Sequence, residues 1–268
     1  MLKDITLGQY FPGNSPVHRL DPRTKLVFLV VYIVALFLAV NWVSYGVMLL
    51  FLAVVIGVSS IPLTAILRGM KPLMFILVFT GLLNLFLTGG DTVLVSFWGL
   101  TITLEGVKLA GFMIVRILML VTGTFLLTYT TSPIALTDGL ESLLGPLKVI
   151  RLPVHELSMM MCIALRFIPT LIEETDKIMS AQKARGADFE SGNLMTRVKA
   201  LIPILVPLFI GAFRRADELA TAMECRCYQG GDGRTKMKIL RYKLQDIKAF
   251  LIASLLLGAV ITLKVFGL

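Results

Sequence analysis

The sequence predicts an all-α membrane protein with about five transmembrane helices and a cytoplasmic or interfacial block that holds two long amphipathic helices. Three observations support this fold class. Of the 268 residues, 56% are hydrophobic and only 16% are charged, whereas soluble domains carry about 25% charged residues. Several long runs contain no charge. Most of the charge lies between residues 131 and 246, which hold 16 of the 26 Lys and Arg and 13 of the 17 Asp and Glu.

The uncharged runs set the positions of the predicted spans, which are residues 26–40, 41–61, 72–90, 117–137 and 249–263. A helix crosses the hydrocarbon core with about 20 apolar residues, in a range of about 17–25. The shorter runs must therefore extend into their polar flanks. The chain divides into an N-terminal segment with four spans (1–130), the charged block (131–246) and a C-terminal span (247–268).

The distribution of cations predicts the orientation. Four Lys or Arg precede the first span, and Arg68 and Lys71 lie between the second and third spans. The 89–105 loop holds only acidic charges, Asp91 and Glu105. Because cytoplasmic loops accumulate Lys and Arg, we expect the N-terminus and the charged block to be cytoplasmic. The net charge of +9 is then a property of membrane loops rather than of nucleic-acid binding.

Two segments of the charged block have the periodicity of long amphipathic helices. In the first, apolar residues Ile168, Leu171, Ile172, Ile178 and Met179 oppose Glu173, Glu174, Asp176 and Lys177. In the second, the apolar face includes Leu201, Ile204, Leu205, Leu208, Phe209 and Phe213, opposite Arg214, Arg215, Asp217 and Glu218. The first should end at Gly186, a natural C-cap residue, and the second at Gly230-Gly231. Pro203 and Pro207 should bend the second helix. Its apolar run, 201–213, is short for a span, so both helices either lie under or dip into the membrane, or form a further hairpin through it.

The ends of these two helices carry related arginine motifs. Lys183-Ala184-Arg185-Gly186-Ala187-Asp188 is followed 41 residues later by Glu224-Cys225-Arg226-Cys227-Tyr228. A cation near a helix C-terminus complements the helix dipole by about 0.3–1 kcal/mol, which accounts for either motif alone. The repetition of an arginine between small residues favours a second role. An unscreened guanidinium forms bidentate bonds to a carboxylate, as at a docking contact.

The cysteines do not form a predicted metal site. A structural zinc site uses four ligands, usually with C-x₂₋₄-C spacing. Cys162 lies 63 residues before Cys225, and neither His18 nor His155 has a partner histidine at ligand spacing. We therefore interpret Cys225 and Cys227 as small helix residues, and we predict no metal and no cofactor.

Residues 230–236, Gly-Gly-Asp-Gly-Arg-Thr-Lys, resemble a phosphate-binding loop only superficially. They do not match G-x-x-x-x-G-K-[ST], they follow no strand, and they include an acid. We interpret them as a flexible basic connector to the last span.

Two cations, Lys108 and Arg116, lie in or near the fourth span. An intramembrane cation is a functional candidate by default. Pairing within the helix bundle or snorkelling towards the outer interface explains both residues without transport. A place in a transport pathway is the alternative, although no buried acid accompanies them to form a relay.

The segment Leu20-Asp21-Pro22-Arg23-Thr24-Lys25 predicts a helix start. Asp21 is a favourable N-cap residue and Pro22 is suited to the first helical position. Arg23 and Lys25 are expected to anchor the helix at the cytoplasmic interface.

Four motifs, in order along the chain, resemble the transmembrane coupling component, or T component, of energy-coupling factor transporters, which are ABC-type importers of vitamins and transition metals. They are Ser15-x-x-His18-Arg19-Leu20-Asp21-Pro22-Arg23-Thr24-Lys25, Ala184-Arg185-Gly186, Met223-Glu224-x-Arg226-x-Tyr228 and Gly233-Arg234-Thr235. The second arginine motif departs from the usual Ala-Arg-Gly, because cysteines flank Arg226. The arginine and its small flanks remain, so the departure affects the shape of the partner groove rather than docking itself.

The resemblance implies a coupling subunit without catalytic chemistry. Its two amphipathic helices would be coupling helices, and each would dock in a groove on one of two ATPase subunits. The residues implied are Ala184, Arg185, Gly186, Glu224, Cys225, Arg226 and Cys227. A separate substrate-binding S component would be held by the helices. Residues expected to face it are Met159, Met160, Leu201, Leu205 and Leu208.

The methionine run Met159-Met160-Met161 admits two interpretations, an adaptable partner surface or ordinary core packing. The predicted location is the cell membrane of a prokaryote, as a multi-pass protein with bilayer and protein partners but no nucleic acid. The principal alternative is a self-contained secondary transporter with Arg116 and Lys108 in its pathway. An intramembrane enzyme ranks last, since the chain offers no paired histidines and no buried acid pair.

Overall fold

The computed structural model of the chain describes residues 10–89, 92–97, 100–150, 153–187, 194–230 and 239–267. Asp91, Asp188 and the predicted connector motif Gly233-Arg234-Thr235 lie outside the described residues.

Within these ranges the chain is almost wholly α-helical, as predicted. The helices are α1 (Pro22–Leu38), α2 (Trp42–Ser59), α3 (Leu63–Met70), α4 (Met74–Leu87), α5 (Leu104–Thr130), α6 (Pro133–Leu144), α7 (Val154–Ala184), α8 (Leu194–Glu224) and α9 (Leu244–Phe266). Short 3₁₀ turns at Lys71–Leu73 and Gly145–Ile150 follow α3 and α6. One antiparallel hairpin, β1 (Val93–Phe97) and β2 (Leu100–Thr103), precedes α5.

Five helical segments of the described chain are long and apolar enough to cross a membrane. They are Trp42–Ser59, Leu63–Leu87, Leu104–Thr130, Val154–Ala184 and Leu244–Phe266. The number agrees with the prediction, but the membership differs. The first predicted span is α1, which at 17 residues lies at the short end of the spanning range. Instead α7, predicted only as an amphipathic helix, is long and apolar enough to cross.

Three predicted boundaries were wrong. The expected loop around Arg68 is α3, a short amphipathic helix that runs through a 3₁₀ turn into α4. The expected 89–105 loop contains the hairpin. The run 117–137 is divided between α5 and α6, because the chain becomes extended at Thr131 before Pro133 begins the next helix. Uninterrupted hydrophobicity hides such a break, since it says nothing about backbone dihedrals.

The described chain forms two compact units. The first, here called the core unit, is Gly8–Gly139 together with Leu240–Leu268, and the second, the long-helix unit, is Leu140–Ile239. In the core unit, α1 packs against α5 and α9, and α4 packs along α5. Buried apolar side chains from these helices form one cluster that includes Leu36, Met48, Met119, Tyr129 and Val260.

The N-terminus of α1 is fixed by two buried carboxylates. Asp21 is the N-cap, as predicted, and its Oδ1 accepts from the Arg23 backbone N–H at 3.0 Å. Asp246 of α9, only 1% exposed, accepts from the Asp21 N–H at 2.8 Å and from the Lys243 N–H at 2.7 Å. A single carboxylate therefore joins the starts of α1 and α9, which are 225 residues apart in sequence.

Lys25 is not an interfacial anchor, so that prediction was wrong. The residue is buried, and its Nζ donates to the carbonyls of Thr130 (2.9 Å) and His18 (3.3 Å) and lies 3.1 Å from Thr131 Oγ1. Three acceptors match the three donors of an ammonium group. Lys25 thus ties α1 to the end of α5.

The long-helix unit consists chiefly of α7 and α8, each 31 residues long. Pro169 lies within α7, and Pro203 and Pro207 lie within α8. Each helix is continuous through its prolines, so Pro203 and Pro207 do not end α8. At 1.5 Å per residue each helix is about 46 Å long.

Candidate docking site

The end of α7 is a closed Schellman motif. Arg185 occupies the C-cap position and Gly186 follows with φ +87°. The Gly186 N–H donates to the Lys183 carbonyl at 3.0 Å, and the Ala187 N–H donates to the Gln182 carbonyl at 3.0 Å. This pair of bonds defines the motif and satisfies carbonyls left open by the last turn. The predicted stop at Gly186 is confirmed, because a left-handed residue is required there.

The end of α8 repeats this geometry residue for residue. The Cys227 N–H donates to the Glu224 carbonyl at 2.8 Å, and the Tyr228 N–H donates to the Met223 carbonyl at 3.1 Å. Cys227 has φ +57° and so takes the left-handed position that Gly186 takes on α7. Arg226 therefore occupies the C-cap position, like Arg185. The helix ends here rather than at Gly230-Gly231, which corrects the predicted boundary.

The two ends also match in exposure. Ala184, Arg185 and Gly186 are exposed, as are Glu224, Cys225, Arg226 and Cys227. The residues that accept and donate the closing bond, Gln182 with Ala187 and Met223 with Tyr228, are half-buried. No hydrogen bond or ion pair joins either arginine side chain to a residue that the structure describes. Each guanidinium is thus held at a defined helix end and is open to a partner.

The cysteines of the second motif show no other role. All three cysteines are unpaired by disulfides, with Cys225 and Cys227 exposed. No group of three or more His, Cys, Asp or Glu in the described part of the chain is placed to hold a metal ion. Cys227 is distinguished by its backbone conformation, which favours glycine because it has no Cβ.

The two long helices are joined by an ion pair that the sequence pattern did not reveal. Arg215 Nη2 of α8 lies 2.6 Å from Glu174 Oε2 of α7, and both side chains are largely buried. Gly211, one turn before Arg215, permits the approach, because a Cβ there would lie 3.0 Å from Glu174 Oε1. Helical periodicity had placed both charges on solvent faces, and the contact corrects that assignment.

The position of this ion pair extends the equivalence of the two helices. Glu174 and Arg215 are 41 residues apart, the same separation as Arg185 and Arg226. Each arginine motif therefore lies 11 residues beyond the ion pair, about three helical turns.

The residues predicted to face an S component are partly accessible. Met160, Leu201 and Leu205 are exposed, whereas Met159 and Leu208 are half-buried. The apolar exposure on α8 is wider than predicted and also includes Ile202, Val206, Ile210 and Phe213. Their hydrophobicity was visible in the sequence, but the absence of a covering neighbour was not.

A further cluster in the long-helix unit was missed. Glu141 of α6 lies 3.2 Å from His155 Nδ1 and accepts from Ser158 Oγ at 3.0 Å. These bonds hold the first turn of α7 against α6. His155 and Ser158 share one face at a spacing of three residues, which is the only signal that the sequence offered.

Arg116 is paired within the core unit. Its Nε donates to the Tyr45 hydroxyl at 2.8 Å and its Nη2 donates to the Ala39 carbonyl at 3.2 Å. The guanidinium also lies 5.6 Å from the centroid of the Phe37 ring. Arg116 therefore fixes α5 to the turn between α1 and α2, which confirms the interpretation of bundle pairing. Lys108 is exposed on the same helix.

The fold and the two helix ends define a class, that of multi-pass membrane proteins that present two matched cationic contacts. Comparison with known proteins identifies the family. The family model described as "Cobalt transport protein", CbiQ, matches residues 13–237. Several relatives carry the description "Energy-coupling factor transporter transmembrane protein EcfT".

The relative in Ruminiclostridium cellulolyticum is 54% identical over 247 residues, which cover 92% of each chain. That in Heliobacterium modesticaldum is 57% identical over 240 residues, 90% of each chain. That in Listeria innocua is 46% identical over 264 residues, 98% of this chain and all of the relative. The chain belongs to this family, the transmembrane T components of energy-coupling factor transporters. A component of such a transporter is one subunit of a larger assembly, so the alternative of a self-contained secondary transporter is not favoured.

Proposed function

We propose that this chain couples ATP hydrolysis in two partner ATPase subunits to a substrate-binding S component that takes up a vitamin or similar micronutrient. The chain itself performs no catalysis. It lies in the cell membrane of a prokaryote with its N-terminus in the cytoplasm, as the distribution of cations predicts.

The matched helix ends carry the proposal. Arg185 and Arg226 occupy the same position of the same capping motif, both exposed and flanked by small residues. A guanidinium at a C-cap is favoured by the negative end of the helix dipole. Its planar fork then binds a carboxylate or carbonyl groups in a partner groove with little rearrangement. Two equivalent ends suit two related ATPases, whether identical or different.

The exposed apolar surface of the long helices supports the second contact. Met160 and Leu205 are each more than half exposed, and methionine side chains adapt to partners of different shape. We propose that Met159, Met160, Leu201, Leu205 and Leu208 contribute to the surface that holds the S component. Movement of the ATPase grooves on ATP binding would then reach the S component through α7 and α8.

The proposal is tested with Arg185→Glu, Arg226→Glu and the double variant, each expressed with both ATPases and an S component. Charge reversal places a carboxylate in a groove that binds a cation, so each single variant should retain less ATPase. Loss of a buried interfacial charge costs about 2–5 kcal/mol, and the double variant should therefore retain at least about tenfold less. Quantitative co-purification measures the effect, and membrane fractionation shows that insertion is unchanged.

Arg214→Glu is the matched control, because Arg214 is an exposed arginine on α8 whose partner is Glu218 of the same helix. It should leave ATPase retention near the unsubstituted level. Retention of both ATPases by the Arg185/Arg226 double variant would refute the docking assignment.

A further inference from the structure

The core unit contains a cavity that no coupling contact uses. It has a volume of about 390 Å³ and lies among α1, α2, α5, α9 and the segment before α1. Its walls are formed chiefly by apolar side chains, among them Phe28, Leu29, Phe51, Leu52, Val55 and Leu126. An apolar cavity is a poor site for water, which needs two or more polar partners.

The few polar groups of the cavity wall are already bonded within the protein. Lys25 Nζ has the three acceptors described above. The Tyr32 hydroxyl donates to the Met119 carbonyl at 3.2 Å, and Thr130 Oγ1 donates to the Leu126 carbonyl at 2.7 Å. None of these donors remains available to an ion or a polar ligand, so the wall favours a hydrocarbon occupant.

The cavity opens on the outer surface of two spanning helices. Val54 and Val58 of α2 and Ile252 of α9 line it and are 55%, 43% and 50% exposed, respectively. Leu52 and Leu126 line its interior and are 8% and 5% exposed. Because α2 and α9 are both helices that can cross a membrane, the opening lies against lipid.

The size of the cavity selects among hydrocarbon occupants. A cavity of about 150 Å³ accommodates benzene, and this one is more than twice as large. Two turns of a partner helix, about 10–12 Å across with side chains, occupy about 1,000 Å³ and do not fit. A single flexible acyl chain does fit.

Two free cations flank the cavity at one end. Arg19 adjoins the lining residue Leu20, and Lys248 lies one turn before Ile252 on the same face of α9. Both are exposed, and neither side chain bonds to any residue in the described ranges. Anionic phospholipids attract basic groups beside a membrane span. The cations and the cavity together match the two ends of one lipid molecule.

We propose that this cavity binds one acyl chain of an anionic phospholipid, whose headgroup is held by Arg19 and Lys248. The lipid fills the space between α2 and α9 and is a constituent of the core unit in the membrane. This site is separate from the arginine motifs of α7 and α8, and the proposal stands independently of docking to ATPases.

The test uses the full chain in phosphatidylcholine vesicles that contain a photoactivatable lipid with a diazirine in its acyl chain. The probe is either phosphatidylglycerol or phosphatidylcholine with the same chain, and mass spectrometry maps the crosslinks. Phosphatidylglycerol should label the buried wall residues Leu52 and Leu126 at least about fivefold more than phosphatidylcholine does, as expected for one to two basic contacts. Labelling confined to exposed residues, or equal labelling by both probes, would overturn the proposal.

Variants supply matched controls. Val55→Trp fills the cavity and should abolish labelling of Leu126, whereas Leu255→Trp, on an exposed face of α9 outside the cavity, should preserve it. Lys248→Glu should remove the preference for phosphatidylglycerol, whereas Lys264→Glu, in the last turn of α9, should not. The labelling map of the unsubstituted chain decides the question even where a variant fails to fold. If labelling of Leu52 and Leu126 disappears when the chain is purified within its intact complex, the cavity belongs to a protein partner and the lipid assignment is wrong.

Discussion

The core unit and the long-helix unit solve the problem of burial in opposite ways. Every member of the buried hydrophobic cluster lies in the core unit. In the described part of the long-helix unit only Val154, Ser158 and Ile204 are buried, although its two helices contain 31 residues each. The core unit is thus held by its own packing, whereas α7 and α8 leave most of their apolar surface uncovered.

This difference indicates where the molecule depends on its surroundings. Large exposed apolar surfaces occur where lipid or a protein partner covers them. The long-helix unit also carries both arginine ends, so the part of the chain with the least internal packing is the part proposed to move. Stability and coupling are therefore assigned to different regions, and substitutions should separate them.

The largest expected effect is in the core unit. Asp246→Ala leaves the buried backbone N–H groups of Asp21 and Lys243 without their acceptor. Hydrogen bonds to charged groups contribute about 1.5–3 kcal/mol each, so the free energy of unfolding should fall by about 3 kcal/mol. Titration of the micelle-solubilised chain with denaturing detergent, followed by circular dichroism, measures the change.

The matched acid in the long-helix unit is Glu218, whose ion pair with Arg214 is highly exposed. Glu218→Ala should change the same free energy by no more than about 0.5 kcal/mol. Equal losses for Asp246→Ala and Glu218→Ala would remove the proposed distinction between the two units.

An intermediate effect is expected at the contact between α7 and α8. In a double-mutant cycle, Glu174→Gln and Arg215→Gln should show a coupling energy of about 1 kcal/mol, because this pair is short and largely buried. The same cycle for Arg214 and Glu218 should give about 0.3 kcal/mol, as is usual for exposed pairs four residues apart. A coupling near zero at Glu174 and Arg215 would show that packing alone holds the helices together.

The smallest effect distinguishes the two helix ends. Cys227→Gly should stabilise the chain by up to about 1 kcal/mol, since the left-handed backbone at Cys227 penalises a Cβ. Gly186→Ala should destabilise it by a similar amount for the same reason. Cys225→Ala should be nearly neutral, and the Cys225→Ala/Cys227→Gly variant should still retain both ATPases. A loss of stability in Cys227→Gly would show that the thiol has a role of its own.

The sequence was most informative where local chemistry decides the structure. Asp21 and Pro22 predicted the start of α1, and Gly186 predicted the end of α7, because caps depend on neighbouring backbone groups. The correspondence of Arg185 with Arg226 was also visible, through small residues at equal positions. Helix existence followed from hydrophobicity alone.

The remaining features depend on partners distant in sequence. Burial of Lys25 requires carbonyl groups at the end of α5, more than 100 residues away, and nothing near Lys25 announces them. Glu174 and Arg215 occupy charged positions of amphipathic helices, so periodicity assigned them to solvent until tertiary contact paired them. The left-handed Cys227 was not predictable from its own type, but its alignment with Gly186 was a usable signal.

The contact between Glu174 and Arg215 has a mechanical consequence. At 1.5 Å per residue, the 11-residue segments from this contact to Arg185 and to Arg226 are each about 16 Å long. A rotation of about 10° there would displace either tip by about 3 Å. Since the two arms are equal, a displacement imposed on one arginine would reappear at the other undiminished, as in a lever with a mechanical advantage of one.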